Sequence, residues 1–193
     1  YKVFYKDIPQ MADELSMTEE EAGRVYRYEC FEDVRKELGY NKIAVAHHQD
    51  DQAETVLFQL LRGSGFRGLG GMRAKNTDVI RPLLAVKKQE IVETLEKKGQ
   101  SYCMDSTNNE DEYARNQIRN HLIPYLRENL QKETVSHIAK TASYMQDVTE
   151  FIDLQTDMVW ESVIECKEGR PKEIKAYLSE MKKLHVVLQR EIF

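Results

Sequence analysis

The sequence predicts an α/β fold with a parallel sheet, followed by a small all-helical subdomain. Short apolar runs alternate with amphipathic helical patterns over most of residues 1–127, as in strands joined by helical crossovers. From about residue 112 onward the pattern is helical only, with apolar residues spaced by three or four. We therefore expect one domain at residues 1–127 and a helical subdomain at residues 128–193.

Turn and capping residues mark the predicted elements of the first domain. Thr18 and Glu21 form a capping-box pattern that starts a helix, and Gly39 is typical of a helix end. The predicted elements are, in chain order, a strand, a helix, a strand, a helix, a strand, a helix and a strand: residues 2–5, 18–38, 42–46, 52–62, 79–81, 87–98 and 102–104. At the other end of the chain, residues 174–193 are predicted to form a helix.

Ionisable residues cluster where the strand at residues 42–46 ends. His47, His48, Asp50 and Asp51 follow it directly and precede the next helix. In open α/β sheets, ligands bind beyond the carboxyl ends of strands, often against helix N-termini. The alternative is structural, because Asp51 and Glu54 also have the spacing of a capping box. Capping does not account for the two histidines or Asp50.

A glycine-rich loop follows the predicted helix, over residues 62–71. Gly63 is a candidate helix C-cap, and Arg62 and Arg67 add positive charge. The loop is not a Walker A motif, because no Gly-Lys-Ser/Thr ends it. Taken alone, it indicates either a tight structural turn or a close backbone approach to a ligand.

Together these motifs resemble the tRNA(Ile)-lysidine synthetase family, of the PP-loop ATPase superfamily. The resemblance is close over roughly residues 1–130 and general beyond. It is carried by blocks in the family's order: Glu20-Glu21-Ala22-Gly23-Arg24-x-x-Arg27-Tyr28-x-x-Phe31, His47-x-x-Asp50-Asp51-Gln52-Ala53-Glu54-Thr55, Leu60-Leu61-Arg62-Gly63-Ser64-Gly65, Gly68-Leu69-x-Gly71-Met72, Ile80-Arg81-Pro82-Leu83-Leu84, Asp105-Ser106-Thr107-Asn108 and Arg115-Asn116-x-Ile118-Arg119. The resemblance implies a PP-loop, adenine nucleotide alpha hydrolase-like domain.

The resemblance also implies a reaction, that of a ligase forming a carbon–nitrogen bond. In this family ATP adenylates the C2 oxygen of the wobble cytidine in the CAU anticodon of tRNA(Ile), with release of pyrophosphate. The amine of free L-lysine then displaces AMP and leaves lysidine at that position. The implied cofactors are ATP and Mg²⁺, and the implied partners are the tRNA and lysine.

The chain departs from the family at its N-terminus. The phosphate-binding Ser-Gly-Gly-x-Asp-Ser loop of these enzymes is absent, and the chain starts at Tyr1 without Met. We expect a fragment cut at both ends, which alone is inactive in ATP chemistry. Two alternatives stay open at this point: another PP-loop tRNA-modifying enzyme such as a thiolase, or a non-catalytic tRNA-binding module.

If the family's reaction applies, His47, Asp51 and Glu54 are the candidate catalytic residues. His47 is expected to contact phosphate or transfer a proton, and His48 is as well explained as a buried histidine. Asp51 and Glu54 are expected to bind the lysine amines, with one of them removing a proton. Asp50 and Asp51 are candidate Mg²⁺ ligands. The other candidates for binding lysine, adenylate or tRNA are Arg62, Gly63, Arg115, Asn116 and Arg119. For Arg115 and Arg119 the alternative is an ion pair with Asp111 or Glu112.

Composition limits the remaining classes. The formal net charge of −5 argues against a generic nucleic-acid binder, although basic residues exceed acidic ones over residues 62–127. Cys30, Cys103 and Cys166 are isolated, which argues against a disulfide framework or zinc site and favours a reducing cytoplasm. No apolar run is long enough for a membrane span. A homodimer is left open.

Overall fold

The computed structural model describes residues 1–103, 114–166 and 174–192. These residues form two compact units, one of Tyr1–His48 with Ala74–Leu84 and one of Gln49–Arg73 with Ala85–Phe193. The domain boundary predicted between residues 127 and 128 stays a prediction. The motif at residues 105–108 lies outside the described residues.

Helices make up most of the described residues. In chain order, the helices and strands are α1 (Ile8–Leu15), α2 (Glu19–Glu37), β1 (Ile43–Ala44), α3 (Gln49–Leu61), α4 (Phe66–Leu69), β2 (Lys75–Asn76), β3 (Val79–Ile80), α5 (Lys88–Lys97), α6 (Ala114–Gln117), a π-helix (Ile118–Leu122), α7 (Ile123–Asn129), α8 (Thr134–Val163), β4 (Ile164–Cys166), β5 (Ile174–Ala176), α9 (Leu178–Met181) and α10 (Val186–Ile192).

Helix α2 confirms its predicted caps. The Thr18 hydroxyl accepts a hydrogen bond from the Glu21 amide at 3.2 Å, and the Glu21 carboxylate accepts one from the Thr18 amide at 3.4 Å. Gly39, just beyond the helix, has a φ of +67°, which glycine adopts without strain. Helix α1 was not predicted, although Asp7 caps it by accepting from the Gln10 amide at 3.0 Å.

The sheet of the first unit combines parallel and antiparallel pairing. Strands β1 and β3 pair in parallel, with Ile43 opposite Val79, and β2 pairs antiparallel with β3. The predicted parallel pairing is confirmed, on strands shorter than expected. The strand predicted at residues 2–5 is wrong: these residues are outside every helix and strand, and most of their side chains are exposed. A strand needs a hydrogen-bonding neighbour, and none of the described strands pairs with them.

The second unit is built around α3 and α8. Ala53 of α3, Ile118 and Ile123 of the helical stretch at residues 114–129, and Val135 of α8 form its buried core. Helix α5 matches its prediction within one residue at each end. Tyr102 and Cys103 are not in a strand, contrary to prediction, and Met104 lies outside the described residues.

The helix predicted at residues 174–193 is wrong at its start. Residues Ile174–Ala176 form β5, which pairs antiparallel with β4, and the short helices α9 and α10 follow. Ile164 of β4 forms a small buried cluster with Val163 and Met181. Strand preference depends on packing and partners more than on local pattern, so the pairing was not visible in the sequence of the segment itself.

No helix among the described residues is long and apolar enough to cross a lipid bilayer.

Candidate active site

The acidic residues of the segment Asp50-Asp51-Gln52-Ala53-Glu54, called the DDQAE block below, lie at the start of α3. The helix begins at Gln49, so Asp50 and Asp51 are in its first turn and Asp51 is not its N-cap. Carboxylates in this position are stabilised by the positive end of the helix dipole. The capping-box alternative is therefore wrong for this pair, and the Glu54 carboxylate has a different partner.

That partner is Arg119, in the π-helix. Its Nε donates to Glu54 Oε1 and its Nη2 to Glu54 Oε2, both at 2.7 Å. Glu54 is only 3% exposed. Two parallel charge-assisted bonds are the strongest geometry that a guanidinium and a carboxylate form. The π-helix, an arrangement frequent at functional sites, places Arg119 directly after the buried Ile118.

Burial and this ion pair act in opposite directions on Glu54. Burial raises the pKa of the Glu54 carboxyl group above its ordinary value, while the hydrogen bonds and charge of Arg119 lower it. The nearby Asp51 carboxylate raises it further. The same pairing raises the pKa of Arg119, which stays a cation.

Arg119 also reaches Asp51. Its Nη2 lies 3.3 Å from Asp51 Oδ1, and the Asp51 side chain is 20% exposed. Two carboxylates thus share one guanidinium, which leaves the trio of Asp51, Glu54 and Arg119 with one net negative charge when all are ionised. A primary ammonium group complements that charge.

Asp50 has separate partners within the same unit. Its Oδ2 accepts a hydrogen bond from the Lys88 amide at 3.0 Å, and its Oδ1 lies 3.6 Å from Arg127 Nη1. Asp50 therefore holds the N-terminus of α5 beside α3. Nothing in the sequence pattern indicated this contact.

The predicted metal ligands do not form a cation cage in the part of the chain that the structure describes. No group of three or more His, Cys, Asp or Glu side chains there is arranged to hold a metal ion. Cationic groups lie against both candidate ligands, Asp50 and Asp51. Mg²⁺ can be held by one or two carboxylates together with substrate phosphates, but these two residues alone do not supply the site.

Two arginines flank one aromatic ring at the side of α3. The guanidinium carbon of Arg62 lies 5.2 Å from the centroid of the Phe58 ring, and that of Arg115 lies 5.9 Å from it. Such cation–π contacts orient both side chains without neutralising them. Asn116, next to Arg115 in α6, is half-buried. The suggested ion pairs with Asp111 or Glu112 lie outside the described residues.

The glycine-rich loop is held by two glutamines. Gln52 receives a hydrogen bond from the Met72 amide at 2.8 Å and donates to the Met72 carbonyl at 3.0 Å. Gln146 of α8 donates to the carbonyls of Gly70 and Met72 at 2.6 and 3.0 Å. Neither residue was predicted. Gln52 lies inside the DDQAE block, and its side chain is only 4% exposed, which indicates a structural role. Gln146 has no local sequence signal.

Gly71 is one of the positions in this loop that require glycine. Gly71 has a φ of +58°, and a Cβ there would lie 2.8 Å from the Gln52 Oε1 and 2.9 Å from its Nε2. Gly63 has a φ of +73° and follows α3, as a helix-ending glycine does. The loop is thus a tightly built turn.

Arg67 is committed to structural ion pairs. Its guanidinium donates to Asp153 Oδ1 at 2.6 Å and to Glu191 Oε2 at 2.8 Å. These contacts tie α4 to α8 and α10. Arg67 is therefore less available to a ligand than Arg62.

The structure brings some predicted residues together. Asp51, Glu54 and Arg119 form one network, and Arg62 and Arg115 meet at Phe58. His47 and His48 belong to the first compact unit, where they follow β1 and are half-buried.

Comparison with protein families identifies the class of protein to which this chain belongs. The chain belongs to the PP-loop domain family, whose model matches residues 3–126. The fold that the sequence predicted, a PP-loop α/β domain followed by a helical region, is confirmed. The match also supports the predicted link to ATP.

Curated relatives sharpen the comparison, and each is named tRNA(Ile)-lysidine synthase. The chain is 36% identical over 190 residues to that of Caldanaerobacter subterraneus subsp. tengcongensis, covering 98% of this chain and 40% of the relative. It is 44% identical over 139 residues to that of Bacteroides thetaiotaomicron, covering 72% and 32%. It is 41% identical over 143 residues to that of Chlorobaculum tepidum, covering 74% and 43%. The resemblance seen in the motifs is confirmed, and the matches span less than half of each relative's length.

Proposed function

We propose that this chain supplies part of the catalytic domain of a tRNA(Ile)-lysidine synthase. The protein would ligate L-lysine to C2 of the wobble cytidine in a CAU anticodon, through an adenylated tRNA intermediate. The observation that carries the proposal is the network of Asp51, Glu54 and Arg119 at the start of α3. The names of the relatives support this activity over a thiolase or a non-catalytic module.

The charge of the network suits the lysine substrate. Two carboxylates and one guanidinium leave a net negative charge that attracts an ammonium group and rejects anions. Asp51 is the more exposed carboxylate, so we expect it to contact the amine first. Glu54 is more deeply buried and is paired with Arg119. A fixed array of this kind lowers the barrier by orienting the amine before reaction.

The lysine step also requires a proton acceptor. The attacking amine must lose a proton before it bonds to C2, and a second proton leaves as the carbon–nitrogen bond forms and AMP departs. Asp51 and Glu54 are the candidate acceptors, and the burial that raises the pKa of Glu54 makes it a stronger base than an exposed glutamate. His47 is the remaining candidate for phosphate contact or proton transfer.

The arginines at Phe58 suit the anionic parts of the substrates. Arg62 and Arg115 are oriented by the ring and keep their charge, so they are candidates for the lysine carboxylate, the adenylate phosphate or the tRNA backbone. Gly63 turns the chain beside Arg62, and Asn116 adjoins Arg115.

The role of Mg²⁺, with Asp50 and Asp51 as its predicted ligands, stays a prediction, and we derive no step through the metal.

The test uses the natural full-length protein. It would be incubated with ATP, Mg²⁺, labelled lysine and tRNA(Ile) bearing a CAU anticodon, and label in the tRNA would be measured. We expect ATP-dependent labelling that disappears when the anticodon cytidine is replaced. ATP and tRNA binding without lysine transfer would refute the proposal.

A further inference from the structure

The first compact unit contains a cleft that the proposed reaction does not use. It has a volume of about 350 Å³ and lies between α2 and the β2–β3 hairpin. Its lining residues come from both of these elements: Arg24, Val25, Tyr28, Asn76, Thr77, Val79 and Arg81. Two arginines and no acidic side chain are among them, so the lining residues themselves carry only positive formal charge.

The two arginines and the tyrosine of this cleft come from two motif blocks far apart in the chain. Arg24 and Tyr28 lie one turn apart on α2, and the Arg24 guanidinium carbon is 5.9 Å from the centroid of the Tyr28 ring. Arg81 directly follows β3 and is only 9% exposed. The cleft therefore has an arginine at its surface and another at its base, each an array of N–H donors.

A buried hydroxyl adds a second, independent observation. The Tyr28 side chain lines the cleft, and its hydroxyl oxygen is buried without a hydrogen-bond partner among the described residues. Leaving a buried hydroxyl unsatisfied costs free energy, so such a group in a folded protein calls for an explanation. A ligand atom that accepts a hydrogen bond would satisfy it.

The nearest acidic side chain of the hairpin is already paired. Asp78 lies 3.3 Å from Lys42 Nζ and 3.6 Å from Arg35 Nη2. Its carboxylate is thus held by cations outside the cleft.

We propose that the cleft formed by Arg24, Tyr28, Asn76 and Arg81 is a phosphate-binding site separate from the Asp51–Glu54–Arg119 network. Guanidinium groups, a hydroxyl and an amide match the several acceptor oxygens of a phosphate group. The phosphate has two sources, the phosphodiester of an RNA strand or a free inorganic phosphate or pyrophosphate. Phosphate binding at this site requires neither lysine nor ATP turnover, so its test is independent of the proposed function.

Binding would be measured on this 193-residue chain with inorganic phosphate as the probe, by following the side-chain N–H resonances of Arg24 and Arg81 during titration. We expect saturable shifts of both. Tyr28→Phe removes only the hydroxyl and Arg24→Gln only a surface cation, and each should weaken binding about tenfold. Lys36→Gln, which removes a cation elsewhere on α2, should leave the affinity unchanged.

Competition then identifies the source of the phosphate. Displacement of the probe by a short single-stranded RNA supports a phosphodiester, and displacement by pyrophosphate but not RNA supports a free phosphate. Absence of saturable binding would overturn the proposal. So would equal affinities in the native chain, Tyr28→Phe and Arg24→Gln, provided that circular dichroism shows both variants folded.

Discussion

Arg119 donates two hydrogen bonds to the two carboxylate oxygens of Glu54, a residue 65 positions earlier in the chain. This pair joins the first turns of α3 to the π-helix, and Arg119 Nη2 also lies 3.3 Å from Asp51 Oδ1. The geometry depends on the planar fork of the guanidinium, because an ammonium has one nitrogen and cannot place a separate nitrogen opposite each carboxylate oxygen.

Replacing Arg119 with lysine tests that geometry. Arg119→Lys keeps the positive charge but loses one of the two bonds, so we expect a loss of about 1–2 kcal/mol in the free energy of unfolding. Urea denaturation would measure it. Arg190→Lys, at an exposed position of α10, is the matched control and should change stability little. Equal stability of the two variants would show that the paired geometry contributes nothing.

The pKa of Glu54 tests the balance between burial and Arg119. Burial raises it and Arg119 opposes the rise, so Arg119→Gln should raise it further. Carbon-13 NMR of the labelled carboxyl group would measure both values. A lower pKa in the variant would contradict the arrangement.

The same variant should change how stability depends on pH. A carboxyl group whose pKa is raised on folding favours the folded state below its unfolded value, and loses that contribution as pH rises through the folded value. Arg119→Gln should therefore lose stability as pH rises above 4.5, the ordinary glutamate value, more steeply than the native chain. Parallel pH profiles for the two proteins would contradict this.

Glu32 provides a pH test away from the site. Hydrogen bonds from Arg35 lower its pKa from 4.5 to about 2. A lowered pKa gives stability that is present above 4.5 and is lost as pH falls toward about 2. In Arg35→Gln the pKa of Glu32, followed by carboxyl NMR, should move back toward 4.5. A value still near 2 would show that Arg35 is not the cause.

Gly71 tests the loop that Gln52 and Gln146 hold. Gly71→Ala places a Cβ within 3.0 Å of the Gln52 amide at a φ of +58°, so we expect a loss of about 1–3 kcal/mol in the free energy of unfolding. Gly65→Ala is the control, because φ there is −69° and nothing lies within 4 Å of the added Cβ. Equal stabilities in urea denaturation would show that the turn tolerates a side chain.

Much of the fold followed from local signals in the sequence. The capping box of α2 and the helix-ending Gly39 are formed by adjacent residues, so their pattern identifies them directly. The hairpin of β4 and β5 was missed because each strand is defined by its partner. Residues 2–5 were predicted as a strand from their apolar composition. That prediction was wrong because composition carries no information on whether a pairing partner is present.

The residues of the candidate site likewise divide into those that the sequence identified and those that it missed. Asp51, Glu54 and Arg119 were singled out by their motifs, but the sequence did not show that Arg119 bonds Glu54, which lies 65 positions earlier in the chain. Gln146 and the Lys88 amide were missed because their contacts are long-range and involve backbone atoms. Neither kind of contact leaves a periodic or spaced pattern in the sequence.

Asp51→Asn in the natural full-length protein tests whether Asp51 acts in lysine transfer. Pyrophosphate release and lysine incorporation into a CAU-anticodon tRNA would be measured side by side, with Asp147→Asn, at an exposed position of α8, as the control. We predict that Asp51→Asn loses lysine incorporation, while the control keeps both pyrophosphate release and lysine incorporation. Near-normal lysine incorporation in Asp51→Asn would contradict the account.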